Sequence, residues 1–126
     1  MKRKIAIIED EATASRLFQF QMEKRGYEVS TFETPKDFEK EGKYDEYEGI
    51  ISDMSFQDLD DKFAAERLYE SLTNDKYKGA FMYTTANISE GRDIPILERT
   101  KQIVFKKEFN KEYYDTINSF IEKHSN

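Results

Sequence analysis

Short apolar runs, separated by polar stretches with helical spacing, set the pattern of the chain. Lys4-Ile5-Ala6-Ile7-Ile8 is nearly continuous in apolar residues, which predicts a strand covered on both faces. Ala14, Leu17, Phe18, Met22 and Arg25 then recur at helical spacing, and Gly26 supplies the stop. Tyr27 to Phe32 alternates like a second strand. Thr34-Pro35 reads as an N-cap and first-turn proline opening a short helix through Phe38. Gly49-Ile50-Ile51-Ser52-Asp53 predicts a third strand, and Phe63, Ala64, Arg67, Leu68 and Leu72 a helix face after it. Ala80 to Thr85 predicts a fourth strand and Ile103-Val104-Phe105 a fifth. Between them, broken by Gly91 and Pro95, the spacing predicts one short helix around Ile96 to Arg99. Tyr113, Ile117, Phe120 and Ile121 line a last helix. Five strands alternating with five helices imply a parallel sheet with helices on both faces.

Composition narrows this picture. The chain has 126 residues, the size of one domain, with 37% hydrophobic and 37% charged residues. Cysteine is absent, which excludes disulfides and thiolate metal sites. The 26 acidic residues outnumber the 20 basic ones, for a net charge of −6. Nonspecific nucleic-acid binding rests on clustered positive charge, so no nucleic-acid partner is expected. The run Ile5 to Ile8 is too short for a signal-peptide core or a membrane span, so no membrane insertion is expected. The expectation is a cytoplasmic single domain over residues 1–126, with no output domain.

The chemistry gathers where strands end. In open α/β sheets ligands bind beyond the carboxyl ends of the strands, where the winding reverses. Those ends carry Glu9-Asp10-Glu11, Asp53, Thr84-Thr85 and Lys106-Lys107, while the second strand ends on Phe32-Glu33. In the flavodoxin-like, doubly wound order 2-1-3-4-5, strands one and three are neighbours, which brings Glu9, Asp10 and Asp53 into one cleft. Three crowded carboxylates repel one another unless a cation intervenes, and oxygen ligands of this kind suit Mg²⁺.

Each piece has an ordinary reading. An acidic run after a strand is commonly a solvated loop or the favourable charge at a helix start. Asp53 could cap the following helix, Thr84-Thr85 could fill a strand, and Lys106-Lys107 could be a solvated edge. Their conjunction, each at the end of its own strand with the second strand skipped, is what points to a site.

At these residues the chain resembles the receiver domain of bacterial two-component response regulators, over essentially its whole length. Ile7-Ile8-Glu9-Asp10-Glu11 is similar to the family's acidic cluster, and Ile50-Ile51-Ser52-Asp53-Met54 to its phosphoacceptor segment. Met82-Tyr83-Thr84-Thr85-Ala86 resembles its Thr-Ala pair, which selects Thr85. Val104-Phe105-Lys106-Lys107-Glu108-Phe109 resembles a Lys-Pro-Phe ending with proline replaced, which selects Lys107. The resemblance implies that Asp53 accepts a phosphoryl group from a histidine kinase or histidine phosphotransfer protein. It also implies Mg²⁺ held by Asp10, Asp53 and the backbone carbonyl of Ser55, with Glu9 helping through water. Thr85 and Lys107 would bind phosphoryl oxygens.

The departures are specific. Glu9 stands where the family more often has aspartate, Gln57 and Asp61 replace a proline and a glycine, and Glu108 replaces the proline after the lysine. Val104 occupies the position of a switching aromatic. Three functions follow. The first is a phosphoacceptor switch that signals to a downstream effector protein and catalyses only its own phosphorylation and dephosphorylation. The second is an interaction module of the same fold that acts without phosphorylation. The third, a haloacid-dehalogenase-type phosphatase, needs an acid two residues after the nucleophile, where this chain has Ser55.

Overall fold

The computed structural model describes residues 3–53, 64–74, 77–85, 103–106 and 110–124. The first apolar run becomes β1 (Arg3–Ile8), with Ile5, Ala6 and Ile8 fully buried. It is followed by α1 (Ala12–Lys24), β2 (Tyr27–Phe32), α2 (Pro35–Glu41) and a single 3-10 turn at Tyr44–Glu46. The remaining elements are β3 (Gly49–Asp53), α3 (Ala64–Asn74), β4 (Ala80–Thr85), β5 (Ile103–Lys106) and α4 (Lys111–His124). All neighbouring strands are parallel, in the order β2-β1-β3-β4-β5. This is the doubly wound α/β sheet expected, with four α-helices among the described residues. The helix expected around Ile96 to Arg99 lies outside them.

Local chemistry sets the boundaries. Arg25 ends α1, and Gly26 turns the chain with φ 96°, a left-handed value that favours glycine. Thr34 caps α2, its Oγ1 accepting from the Asp37 N–H at 3.1 Å, with Pro35 in the first turn. That helix runs on to Glu41, one turn beyond the expected Phe38, because Gly42 supplies the left-handed stop. On α3, Leu68 and Leu72 are buried as expected, but Arg67 is exposed and does not share their face.

Side chains alternate across each strand and divide the core in two. On one face Ile5, Ile7, Ile51 and Met82 meet Phe18 and Met22 of α1 and Tyr114, Ile117 and Ile121 of α4. On the other, Ala6, Ile8, Ile50 and Phe81 meet Phe38 of α2 and Leu68 and Leu72 of α3. Aromatic pairs reinforce both layers, such as Phe18 with Tyr114 and Phe32 with Phe38. No described helix is long and apolar enough to cross a membrane.

Candidate functional site

The register fixes what meets at the carboxyl edge of the sheet. Ile8 of β1 pairs with Ser52 of β3, so the residues just beyond them, Glu9 and Asp53, emerge side by side. The Glu9 N–H continues the ladder to the Phe32 carbonyl at 2.9 Å, which holds Glu9 in strand-like alignment although β1 has ended. Glu9 and Asp53 retain only 5% and 6% of their surface, whereas the neighbouring Asp10 is half-buried. One carboxylate oxygen from each of Glu9, Asp10 and Asp53 lies within 4.8 Å of the others. Glu9 Oε2 also accepts from the Glu11 N–H at 3.3 Å.

These three are the acids expected from the strand ends. Thr85 closes β4, opposite Lys106 of β5. Lys107 and Ser55 lie outside the described residues, as does the Asp58 to Asp61 run. Beside the acids a groove of about 310 Å³ opens between the start of α1 and the end of β2. It is lined by Asp10, Ser15, Arg16, Thr31 and Glu33 among others, so a cation borders the acid cluster on the outer side.

Of the two hydroxyls expected at the end of the fourth strand, Thr84 lies inside this edge, and Tyr113 joins it unexpectedly. Thr84 pairs with Asp53 across β3 and β4 and is buried. Its hydroxyl lies near the phenol of Tyr113, in the first turn of α4. The Tyr113 N–H donates to Asn110 Oδ1 at 2.9 Å, an N-cap that fixes the start of this helix. Burial, first of all, pushes the Tyr113 phenol above its ordinary range. The neighbouring Thr84 hydroxyl opposes that shift, and the negative charges of Glu9 and Asp53 add to it. Helical spacing marks Tyr113 only as core. The sequence signal that it sits at the pocket is its place in the first turn, three residues after a capping asparagine.

No family model matches the sequence, and no curated protein matches it significantly. Solved structures do. The non-phosphorylated receiver domain of HemR from Leptospira biflexa superposes with a TM-score of 0.80 at 18% identity, covering 95% of this chain and 94% of that one. The response regulator TrrA of Thermotoga maritima, in complex with Mg²⁺–BeF, gives 0.76 at 18% identity over 94% and 98% of the two chains. The chemotaxis response regulator CheY4 of Vibrio cholerae gives 0.76 at 16% identity over 96% and 99%. The chain has the receiver fold. The likeness spans nearly all of the chain, including the sheet whose β1–β3 register brings Glu9 and Asp53 together.

Proposed function

We propose that this receiver-fold chain is a phosphoacceptor switch of a two-component system, with Asp53 as the acceptor. The observation that carries the reading is the meeting of Glu9, Asp10 and Asp53 within 4.8 Å where β1 and β3 adjoin. The donor set is all carboxylate oxygen, which fits a hard divalent cation such as Mg²⁺. Glu9, Asp10 and Asp53 would hold it, with the Ser55 carbonyl. When bound, Mg²⁺ neutralises charge shared between the acceptor carboxylate and the incoming phosphoryl group.

The chain's own residues then have distinct tasks. An Asp53 carboxylate oxygen attacks phosphorus while the bond from phosphorus to the donor's imidazole nitrogen breaks in line. The imidazole leaves with the bonding pair and takes up a proton from solvent. Burial of Asp53 excludes competing water, and fixed positions rather than covalent chemistry supply the rate. Thr85, which closes β4, and Lys107, next in sequence after β5, would bind phosphoryl oxygens. The donor would be a histidine kinase or phosphotransfer protein, the reader an effector protein, and the setting cytoplasmic.

Intact-mass measurement after incubation with acetyl phosphate and Mg²⁺ tests this. Wild type should gain one phosphoryl group, and Asp53→Asn should gain none, because an amide is not a competent nucleophile here. Equal labelling of the variant would overturn the assignment. A second reading, an interaction module independent of phosphorylation, is favoured by Val104. This small β-branched residue in β5 pairs with Tyr83 in the register, where the resembling family often carries a mobile aromatic ring. Effector binding that is equally tight with and without labelling would favour that reading.

A further inference from the structure

We propose that Ser52 is a positioning residue for Asp53. Its hydroxyl fixes the peptide that follows the acceptor, and with it the direction in which the Asp53 carboxylate leaves the sheet. The inference rests on the acceptor reading given above.

Ser52 is a polar residue where the pattern calls for an apolar one. β3 is the middle strand of the sheet and is buried at all five positions, and Ile50 and Ile51 obey the rule for such strands. Counting by twos from Ile50 places Ser52 on the face that α2 and α3 cover. Its register partners are Ile8 on β1 and Tyr83 on β4, both fully buried, and Ser52 itself has no exposed surface. A hydroxyl taken into such a layer costs stability unless it is hydrogen-bonded. Here it is bonded to the acceptor residue itself, with Ser52 Oγ donating to the backbone carbonyl of Asp53 at 2.9 Å.

The bond falls where the sheet's own hold on Asp53 weakens. β3 pairs with β1 only as far as Ser52, opposite Ile8. The Glu9 N–H, next along β1, donates to the Phe32 carbonyl of β2. Among the described residues Asp53 therefore keeps a register partner on one side alone, Thr84 of β4. Its carbonyl belongs to the peptide that closes β3, and turning that peptide changes ψ of Asp53. Side-chain rotamers depend on φ and ψ, so a hydroxyl that holds this carbonyl also narrows the directions open to the carboxylate. Alternation sends the Ser52 and Asp53 side chains to opposite faces of the sheet. The serine thus acts through the backbone and touches neither cation nor donor.

The test compares wild type with Ser52→Ala, which removes the hydroxyl, and Ser52→Thr, which keeps it. Labelling by acetyl phosphate at saturating Mg²⁺ should slow about tenfold in the alanine variant, because small misplacements of a reacting group carry penalties of this order. It should return to near the wild-type rate in Ser52→Thr. In ¹³C NMR the Asp53 carbonyl resonance should move upfield in Ser52→Ala and stay in place in Ser52→Thr. Mg²⁺ affinity, read from the Asp53 amide, should fall severalfold in the alanine variant alone. A wild-type labelling rate in Ser52→Ala, an unmoved carbonyl resonance there, or equal Mg²⁺ affinity would each overturn the proposal. Slow labelling by a threonine variant whose carbonyl resonance matches wild type would do so too, because the bond would then be present without its effect. Wild type that takes no phosphoryl group would overturn the acceptor reading instead, and the carbonyl resonance and Mg²⁺ affinities would still decide whether Ser52 places the carboxylate.

Discussion

Arg25, at the end of α1, clasps Asp115 of α4 across 90 residues of sequence, its Nε and Nη2 both donating to Asp115 Oδ1 at 3.1 and 3.0 Å. Nη1 of the same guanidinium donates to the Gln21 carbonyl at 2.8 Å, and the group lies over the Tyr114 ring. Lys111 completes the cluster, donating to Asp115 Oδ2 at 2.7 Å. The clasp ties the two helices that cover one face of the sheet.

It predicts a pH dependence. Lys111 first, then Arg25, hold the Asp115 carboxyl below its ordinary value of 3.8. A carboxyl depressed in the folded state contributes stability that is present above its unfolded pKa and is lost as pH falls through the folded one. Asp115→Asn should therefore be less stable than wild type at neutral pH, with the two converging well below pH 3.8. Urea midpoints across that range check this. A gap independent of pH would show that the charge contributes nothing.

The acid cluster predicts opposite effects of one substitution with and without metal. Neutralising Asp10 relieves repulsion among carboxylates, by about 1–3 kcal/mol at effective dielectric constants between those of protein and water. Asp10→Asn should thus melt higher than wild type in EDTA. Wild type should gain stability on adding Mg²⁺, because the ion binds only the folded state, and the variant should gain less. Thermal melts with and without Mg²⁺ give both comparisons. An unchanged Mg²⁺ response in Asp10→Asn would remove Asp10 from the site.

Gly79 lies where the chain enters β4 and leaves no space for a side chain. An added Cβ would overlap the Tyr77 hydroxyl and come within 2.9 Å of the Glu48 carbonyl. Tyr77 donates to the Tyr47 carbonyl at 2.8 Å, so alanine at 79 must displace a half-buried hydrogen bond as well as a ring. Gly79→Ala should cost about 1–3 kcal/mol by overpacking, read as a lower urea midpoint with unchanged slope. In a Tyr77→Ala background the same Gly79→Ala change should cost less, since the clash goes with the ring.

Thr34 carries the cap of α2 through a single hydrogen bond to the Asp37 N–H. Thr34→Ala should cost about 1 kcal/mol, and Thr34→Ser should restore most of it. Chemical denaturation of the three proteins is sufficient to show this.

The central strands were legible because burial on both faces leaves nearly unbroken apolar runs, and the edge strand β2 because its residues alternate. Tyr27–Phe32, Gly49–Asp53 and Ala80–Thr85 match the expected segments residue for residue. Helix ends were less legible. α2 outlasted its apolar face, because Lys40 and Glu41 are polar and only the left-handed conformation of Gly42 marks the stop. The turn at Tyr44–Glu46 has too few residues for a period to show. Arg25 fell on the periodic face of α1, yet its role depends on a partner in another helix. Phe20, off that face, is exposed at 58%, with the Lys24 ammonium over its ring.

Glu9, Asp10 and Asp53 could be named from the chain because each follows an apolar run, and the order of parallel strands leaves few ways to wind the sheet. Their mutual distance, by contrast, needed the register of Ile8 against Ser52, since sliding one strand by a residue would turn Asp53 to the opposite face. Thr84 and Tyr113 needed still more. In one dimension Thr84 is a strand residue and Tyr113 a core residue of a helix, 29 positions apart. Periodicity reports which side of its own element a residue faces. Which element lies across from that side depends on the folding of the whole sheet, and only that sets the last helix over the sheet face on which the acids emerge.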